Sequence, residues 1–340
     1  VKRDILITSA CIFLFVLAFV WALSAGSLFI SWETLWKAFI GADSDVDESI
    51  RYIIFDIRLA RTVLAAVVGA ALALSGVVYQ GVLLNPLADP YTLGVSTGAA
   101  FGASVAILFG VGSVGWSGHL TIPVAAFLGA LLALCFVYLL GQIDGQFHPA
   151  NLILAGIIVS TFLSALISLL KSLHEESISA IVFWIMGSLS GKTWEQVLII
   201  LPYFLLGTVV MFYYSTELDL LALGDVQAMH LGVSVARVRF VLLSVASLMT
   251  AASVSFTGII GFVGLVVPHV VRLMVGPKHF RLLFYSIFAG GILMLVADTV
   301  SRTILGEGQE IPVGVVTALI GGPFFCLILV RRRKEMGMSS

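Results

Sequence analysis

Gly187-Ser188-Leu189-Ser190-Gly191-Lys192-Thr193 is the stretch whose residue types most suggest chemistry. Glycines beside a lysine and a hydroxyl build nucleotide-binding loops, in which successive amides wrap phosphate oxygens and the lysine neutralises them. The spacing fails that test. Such a loop needs four residues between its first glycine and the Gly-Lys pair; here there are three, with no strand before them. A polar turn is the better reading. The histidines, His119, His148, His174, His230, His269 and His279, are scattered, and no pair is spaced to ligate a metal from one helix face. Cys11, Cys135 and Cys326 each sit in an apolar run, which suits packing and offers neither a disulfide framework nor a CxxC site. No catalytic residue, bound metal or bound cofactor is expected.

The charged residues worth weighing stand at the ends of apolar runs. Arg58 and Arg61 precede the uncharged stretch 62–88, and Arg302 follows another. Long basic side chains snorkel to a membrane interface by default; equally, three arginines together form a docking surface for carboxylates. Segment 217–239, ELDLLALGDVQAMHLGVSVARVR, carries Leu220, Leu221, Leu223, Met229 and Leu231, interrupted by Gly224 and Gly232. Two short surface helices follow from this pattern, with their apolar residues filling either a partner's groove or the chain's own bundle.

The elements positioning these residues are membrane spans. The chain of 340 residues is 60% hydrophobic and 11% charged, with a mean hydropathy of +1.11, against roughly 25% charged in soluble domains. A net charge of -1 gives no basic surface for nucleic acid. A bilayer takes about 20 apolar residues to cross. Uncharged intervals lie at 5–32, 62–88, 90–143, 145–170, 196–216, 240–271, 282–297 and 311–330. The interval 90–143 is broken by GVGSVGWSG at 110–118, and 240–271 by Gly258, Gly261, Gly264 and Pro268, so each holds two helices and the total is ten. The first run, after Lys2-Arg3, is too long for a signal peptide and counts as span one.

Ten spans place both termini on one side. With that side inward, the inner segments hold more lysine and arginine than the outer ones, and acids such as Asp43, Asp45, Asp47 and Glu48 face out. Both termini are therefore expected in the cytoplasm. Gly76 precedes Pro86 by ten residues, and Gly258 precedes Pro268 by ten, five spans later. That echo raises an inverted repeat within a single permease-like domain over 1–340.

The ordered motifs carry a resemblance. Arg58-Leu59-Ala60-Arg61, GAALALSG (69–76) with Gln80, NPLADPYTLGVSTGAAFGA (85–103), LALG (221–224), GFVGLVVPHVVRL (261–273) and EIPVGVVTALIGGPFF (310–325) together resemble the permease subunits of type II ABC importers for iron-siderophores, haem and cobalamin. The likeness covers nearly the whole chain. Ala60, where the family usually has proline, and Leu84, where a polar residue often stands, depart from it. The resemblance implies an all-α multi-pass protein of the cytoplasmic membrane, paired with a second copy around a translocation path. It implies ATP on two separate ATP-binding cassette subunits, and a soluble substrate-binding protein docking at Arg58, Arg61 and Arg302. The ATPase would grip 217–232, with Leu220, Leu221, Ala222, Leu223, Gly224 and Asp225 at the contact, and His148, Pro149, Ala150 and Asn151 would form the cytoplasmic gate.

Two competing functions are an intramembrane enzyme, which needs a nucleophile with a base or a metal cluster, and a passive channel, which needs no coupling surface. A scaffold protein finds no repeat or low-complexity segment. The cargo itself is not legible, because a wide apolar path demands few particular residues.

Overall fold

The computed structural model describes residues 2–26, 30–40, 47–110, 118–143, 146–305 and 308–335. Its helices are α1 (Lys2–Ser24), α2 (Trp32–Ile40), α3 (Glu48–Tyr52), α4 (Ala60–Val82), α5 (Val95–Leu108), α6 (Gly118–Gly141), α7 (Pro149–Leu173) and α8 (Ile178–Ile185). They continue as α9 (Trp194–Tyr213), α10 (Ser215–Leu221), α11 (Asp225–His230), α12 (Val235–Thr257), α13 (Val263–Val275), α14 (His279–Thr303) and α15 (Val313–Glu335). A π-helical turn, Ile53–Leu59, joins α3 to α4 without a break. A two-residue hairpin, β1 (Gln142–Ile143) with β2 (Gln146–Phe147), joins α6 to α7.

Seven described helices are long and apolar enough to cross a membrane, and three shorter apolar ones, Val95–Leu108, Val263–Val275 and Val313–Leu327, occupy the remaining expected intervals. The glycine-rich break at 110–118 and the acids Asp43 and Asp45 lie largely outside the described residues. At 1.5 Å per residue, α5 and α13 reach only about 20 Å, short of a hydrocarbon core of about 30 Å. Non-helical corners at 83–94 and 258–262 precede them and, apart from the exposed Leu84 and Leu87, are buried or half-buried in protein, the condition under which irregular backbone is tolerated at membrane depth. The corners hold each other: the Tyr91 hydroxyl donates to the Ile260 carbonyl at 2.7 Å. The Asn85 and Asp89 side chains close the first corner by accepting from the amides of Leu87 and Tyr91.

The Gly–Pro echo fails in three dimensions. Gly76 is inside α4 and Pro86 in a loop, whereas Gly258 caps α12 and Pro268 is inside α13. What recurs is a pattern of lengths: α4 and α12 have 23 residues each, and the helices that follow them have 14 and 13.

α4 is the axle. In the apolar stretch of Glu48–Val82, 83% of residues are buried, against 11% in α1. It packs on α9, α12, α13 and α14, and small residues allow the approach. A Cβ on Gly76 would collide with the Gly264 carbonyl, and one on Gly69 with the Gly290 carbonyl, so two neighbouring backbones touch α4 directly. Polar groups tie the same helices together: the hydroxyls of Tyr79 and Ser247 lie 2.6 Å apart, Ser75 donates to the Ala246 carbonyl, and the Gln80 amide to the Leu265 carbonyl.

Gly76→Ala should therefore destabilise the protein by at least about 2 kcal/mol through overpacking, read as a lower melting temperature in detergent. Gly322→Ala, whose Cβ meets nothing within 4 Å, should leave it unchanged.

Candidate functional site

The N-terminal end of α4 carries a buried ionic cluster. Arg61 Nε donates to Asp298 at 3.0 and 3.2 Å, and its Nη2 to Asp298 Oδ1 at 2.9 Å. Nη1 and Nη2 reach Glu310 at 2.8 and 3.0 Å. One planar guanidinium thus bridges two carboxylates, a geometry lysine could not supply. Arg302, one turn beyond Asp298 on α14, lies 3.4 Å from it. Arg302 also donates to the Ala22 carbonyl, and Arg58 to the carbonyls of Leu23 and Ser24. Both arginines thus cap the C-terminal carbonyls of α1, where a helix dipole favours cations. The cluster fastens α1, α4, α14 and the segment before α15 at one level.

This corrects one expectation. Long basic side chains at these positions were expected to snorkel outward, yet Arg58, Arg61 and Arg302 are all 6 to 7% exposed, and the carboxylates that Arg61 and Arg302 meet are the chain's own. The sequence hid this because Asp298 and Glu310 stand 237 and 249 residues from Arg61. The one hint was Asp298 itself, an acid at the edge of an apolar run, four residues before Arg302. The phosphate-loop lookalike belongs to the same region. It is a turn with Gly187 and Gly191 at positive φ, the Ser190 hydroxyl bonds Glu310, and Gln196 accepts from the Thr193 amide to cap α9.

The opposite end of α4 carries α10 and α11, the two short helices expected within 217–239. The 23 residues of α4 separate the two sites by about 35 Å. Leu218 and Leu221 are buried, at 0 and 1% exposure, with Leu218 beside Gly81 near the end of α4. Leu221 therefore packs the chain's own bundle, contrary to its expected place in a partner contact, and Leu220 is partly buried with it. Leu223, Val226, Met229 and Leu231 are 53 to 59% exposed; with exposed Ala222 they form the outward apolar face. Asp219 accepts from the backbone amide of His279, with its Oδ1 2.7 Å from the His279 ring, pinning α10 to the start of α14. Asp225 pairs with Arg239 at 2.8 Å.

At this same end, beside Arg239, the hairpin delivers the chain to α7. His148 is its extended N-cap and Pro149 its first residue, which suits a residue with no amide to donate. His148 and Ala150 are exposed, Asn151 half-buried. Ala150 shares a helical face with Leu154, Ile157, Ile158 and Phe162, all 53 to 63% exposed, spaced by three and four residues. The described residues contain no group of three or more potential metal ligands.

The profile of the FecCD transport family matches residues 14–331, and the chain belongs to that family. It is 46% identical over 290 residues to the cobalamin import system permease protein BtuC of Halobacterium salinarum, covering 85% of this chain and 76% of that one. It is 38% identical over 297 residues to the molybdate import system permease protein MolB of Haemophilus influenzae, covering 87% and 86%. A solved structure of a metal-chelate type ABC transporter in an inward-facing conformation superposes with a TM-score of 0.83 at 35% identity, over 96% of this chain and 99% of that one. The chain is accordingly a multi-pass permease component of an ABC importer in the inner membrane, with no catalytic role of its own; the ATPase is a separate subunit.

Removing Arg61 leaves Asp298, 1% exposed, without its strongest partner. Breaking a buried pair costs about 3–5 kcal/mol, so Arg61→Ala should lose most of its folded yield, measured by size-exclusion of the solubilised protein. Burial pushes the Glu310 carboxyl up, but the hydrogen bonds and charge of Arg61 outweigh it and hold the group below the usual carboxylate range. A depressed folded value stabilises above the unfolded one, about 4.3 for glutamate, and the contribution is lost as pH falls through the folded one. Glu310→Gln should therefore flatten the acid side of the stability profile below about pH 4.3.

Proposed function

We propose that this permease moves a metal chelate of the iron-siderophore, haem or cobalamin class from an outside binding protein to the cytoplasm, along a path between two copies of the chain. The observation that supports the reading best is the placement of two different surfaces at opposite ends of one buried helix. The ionic cluster lies at one end of α4, and an outward apolar face on α10 and α11 lies at the other.

At the outer end, Arg58, Arg61 and Arg302 gather around Asp298 and Glu310. Arg58 and Arg302 lie close enough to repel each other, so an acidic side chain from a binding protein gains by approaching them. At the inner end, Leu223, Val226, Met229 and Leu231 supply apolar anchors for the ATPase subunit, where ATP is held; this chain binds no cofactor in the proposal. His148 to Asn151 form the cytoplasmic constriction, and the apolar stripe from Ala150 to Phe162 meets the second copy. Two identical chains make the simplest pair. The relatives' cargoes include cobalamin and molybdate, so the binding protein, rather than the path, is assigned the selection.

A coupling surface also separates this reading from a passive channel. Leu223→Asp with Met229→Asp alters only exposed residues and should detach the ATPase or uncouple its hydrolysis from uptake while the permease stays folded, since a few apolar anchors dominate such contacts. Full assembly and ATP-driven uptake in the double variant would overturn the proposal. Charge reversal at Arg61 would collapse the cluster, so docking is better tested with Arg58→Gln, which should weaken binding-protein affinity about tenfold or more by removing one charge partner.

A further inference from the structure

We propose that Arg239 is a positioning residue, a strut that carries movement of α11 to the start of α7 and so sets the state of the path's inner end. The inference rests on the reading above, in which α10 and α11 meet the ATPase.

Arg239 lies in the second turn of α12 and is 2% exposed. Its Nη2 donates to Asp225 Oδ1 at 2.8 Å, and its Nη1 donates both to Asp225 Oδ2, at 3.2 Å, and to the backbone carbonyl of Phe147. Asp225 is the first residue of α11, and Phe147 directly precedes the N-cap of α7. One side chain therefore joins two segments that are 78 residues apart in sequence. Phe147 is held on its other side too. Its ring stacks on Phe240 with centroids 5.8 Å apart and tilts against Tyr138 at 5.5 Å. The entry to α7 thus moves with α12 and Arg239 rather than independently.

The two short helices are attached differently, and the difference gives the strut something to transmit. α10 is locked, with Leu218 and Leu221 buried and Asp219 bound to His279. α11 buries only Ala228 and lies between Gly224 and Gly232, whose φ values of 104° and 89° mark chain reversals that glycine adopts without strain. Val226 and Met229 face outward on it. A cleft of about 360 Å³, lined by Phe147, Asp225, Met229, Val233, Arg237 and Arg239, opens beside it, so a subunit pressing on α11 has space to tilt it. Asp225 would travel with the helix and draw on the guanidinium, and the guanidinium on the Phe147 carbonyl.

The chemistry requires arginine. Its planar fork can grip a carboxylate with two nitrogens and still donate to a third oxygen, whereas a lysine ammonium is a single point. Arg239 Nε is buried without a hydrogen-bond partner, so the group is not saturated in this arrangement, and a second arrangement of the same strut can gain a bond.

The test uses the complete importer, permease with ATPase and binding protein, reconstituted in vesicles and loaded with a chelate that the binding protein takes. The deciding readout is cargo moved per ATP hydrolysed. Arg239→Gln should still bind the ATPase and hydrolyse ATP, yet fall about tenfold or more in cargo per ATP, within the range that coupling residues reach; Arg239→Lys should fall between it and the unaltered protein. Asp225→Asn should show the same loss, and the exchange Asp225→Arg with Arg239→Asp should recover part of it. Unchanged cargo per ATP in Arg239→Gln and Asp225→Asn would overturn the proposal. So would loss of ATPase binding in both, which would mean that the pair merely shapes the contact surface. If Arg239→Gln fails to fold, Arg239→Lys, which keeps the charge but loses the fork, decides: cargo per ATP equal to that of the unaltered protein would overturn the proposal. The double variant at Leu223 and Met229 separates the two claims: if it stays coupled, the contact surface is wrong, and if it uncouples while Arg239→Gln does not, only the strut is wrong.

Discussion

Direct contact between backbones around α4 is the constraint on which the rest of this structure depends. Lipid offers no hydrophobic force to press helices together, so they associate by close packing and internal polar bonds. Gly76 against Gly264 and Gly69 against Gly290 bring α13 and α14 to α4 at backbone distance. Tyr79, Ser75 and Gln80 add polar bonds to α12 and the start of α13. An axle made this way is stiff, and whatever is fastened to its two ends keeps a fixed separation.

What is fastened there differs in kind. The N-terminal end of α4 is charged, with Arg61 between Asp298 and Glu310 and the α1 carbonyls capped by Arg58 and Arg302. A cluster of this sort contributes little net stability compared with an apolar core, but breaking it strands buried charge, so it fixes geometry. The opposite end divides into a locked helix, α10, and a loosely held one, α11. Rigid attachment at one end and a hinged element at the other suit a protein that receives cargo on one face and is driven from the other.

The sequence yielded most of this where physics acts locally. Uncharged runs located the helices, because a charge in the bilayer is expensive, and Gly224 with Gly232 split 217–239 into two short helices. The phosphate-loop lookalike failed on a one-residue spacing error and is indeed a turn. Long-range pairing was not legible. Arg61 was read as facing outward because Asp298 and Glu310 are distant in sequence, and Leu221 as an exposed anchor because periodicity cannot say which face of a seven-residue helix is covered. The Gly–Pro echo misled for the same reason, since Gly76 serves a helix contact and Gly258 a helix end. The role given to His148–Asn151 came from family resemblance alone; the structure adds the exposure of His148 and Ala150 and the tie of Phe147 to Arg239.

The central claim is that the inner end of the path moves while the outer cluster holds its shape. Pulsed spin-label distances in the reconstituted importer, in a background lacking Cys11, Cys135 and Cys326, test it most directly, with one label pair at Ala150 across two copies and a second pair reporting Leu59 against Ile304 within one copy. The account predicts that the Ala150 distance shifts by several ångströms between nucleotide-free and ATP-bound states, on the order of the interface shifts seen in other switching proteins, while the outer distance stays constant. A constant distance at Ala150 with a changing one at Leu59 would contradict it.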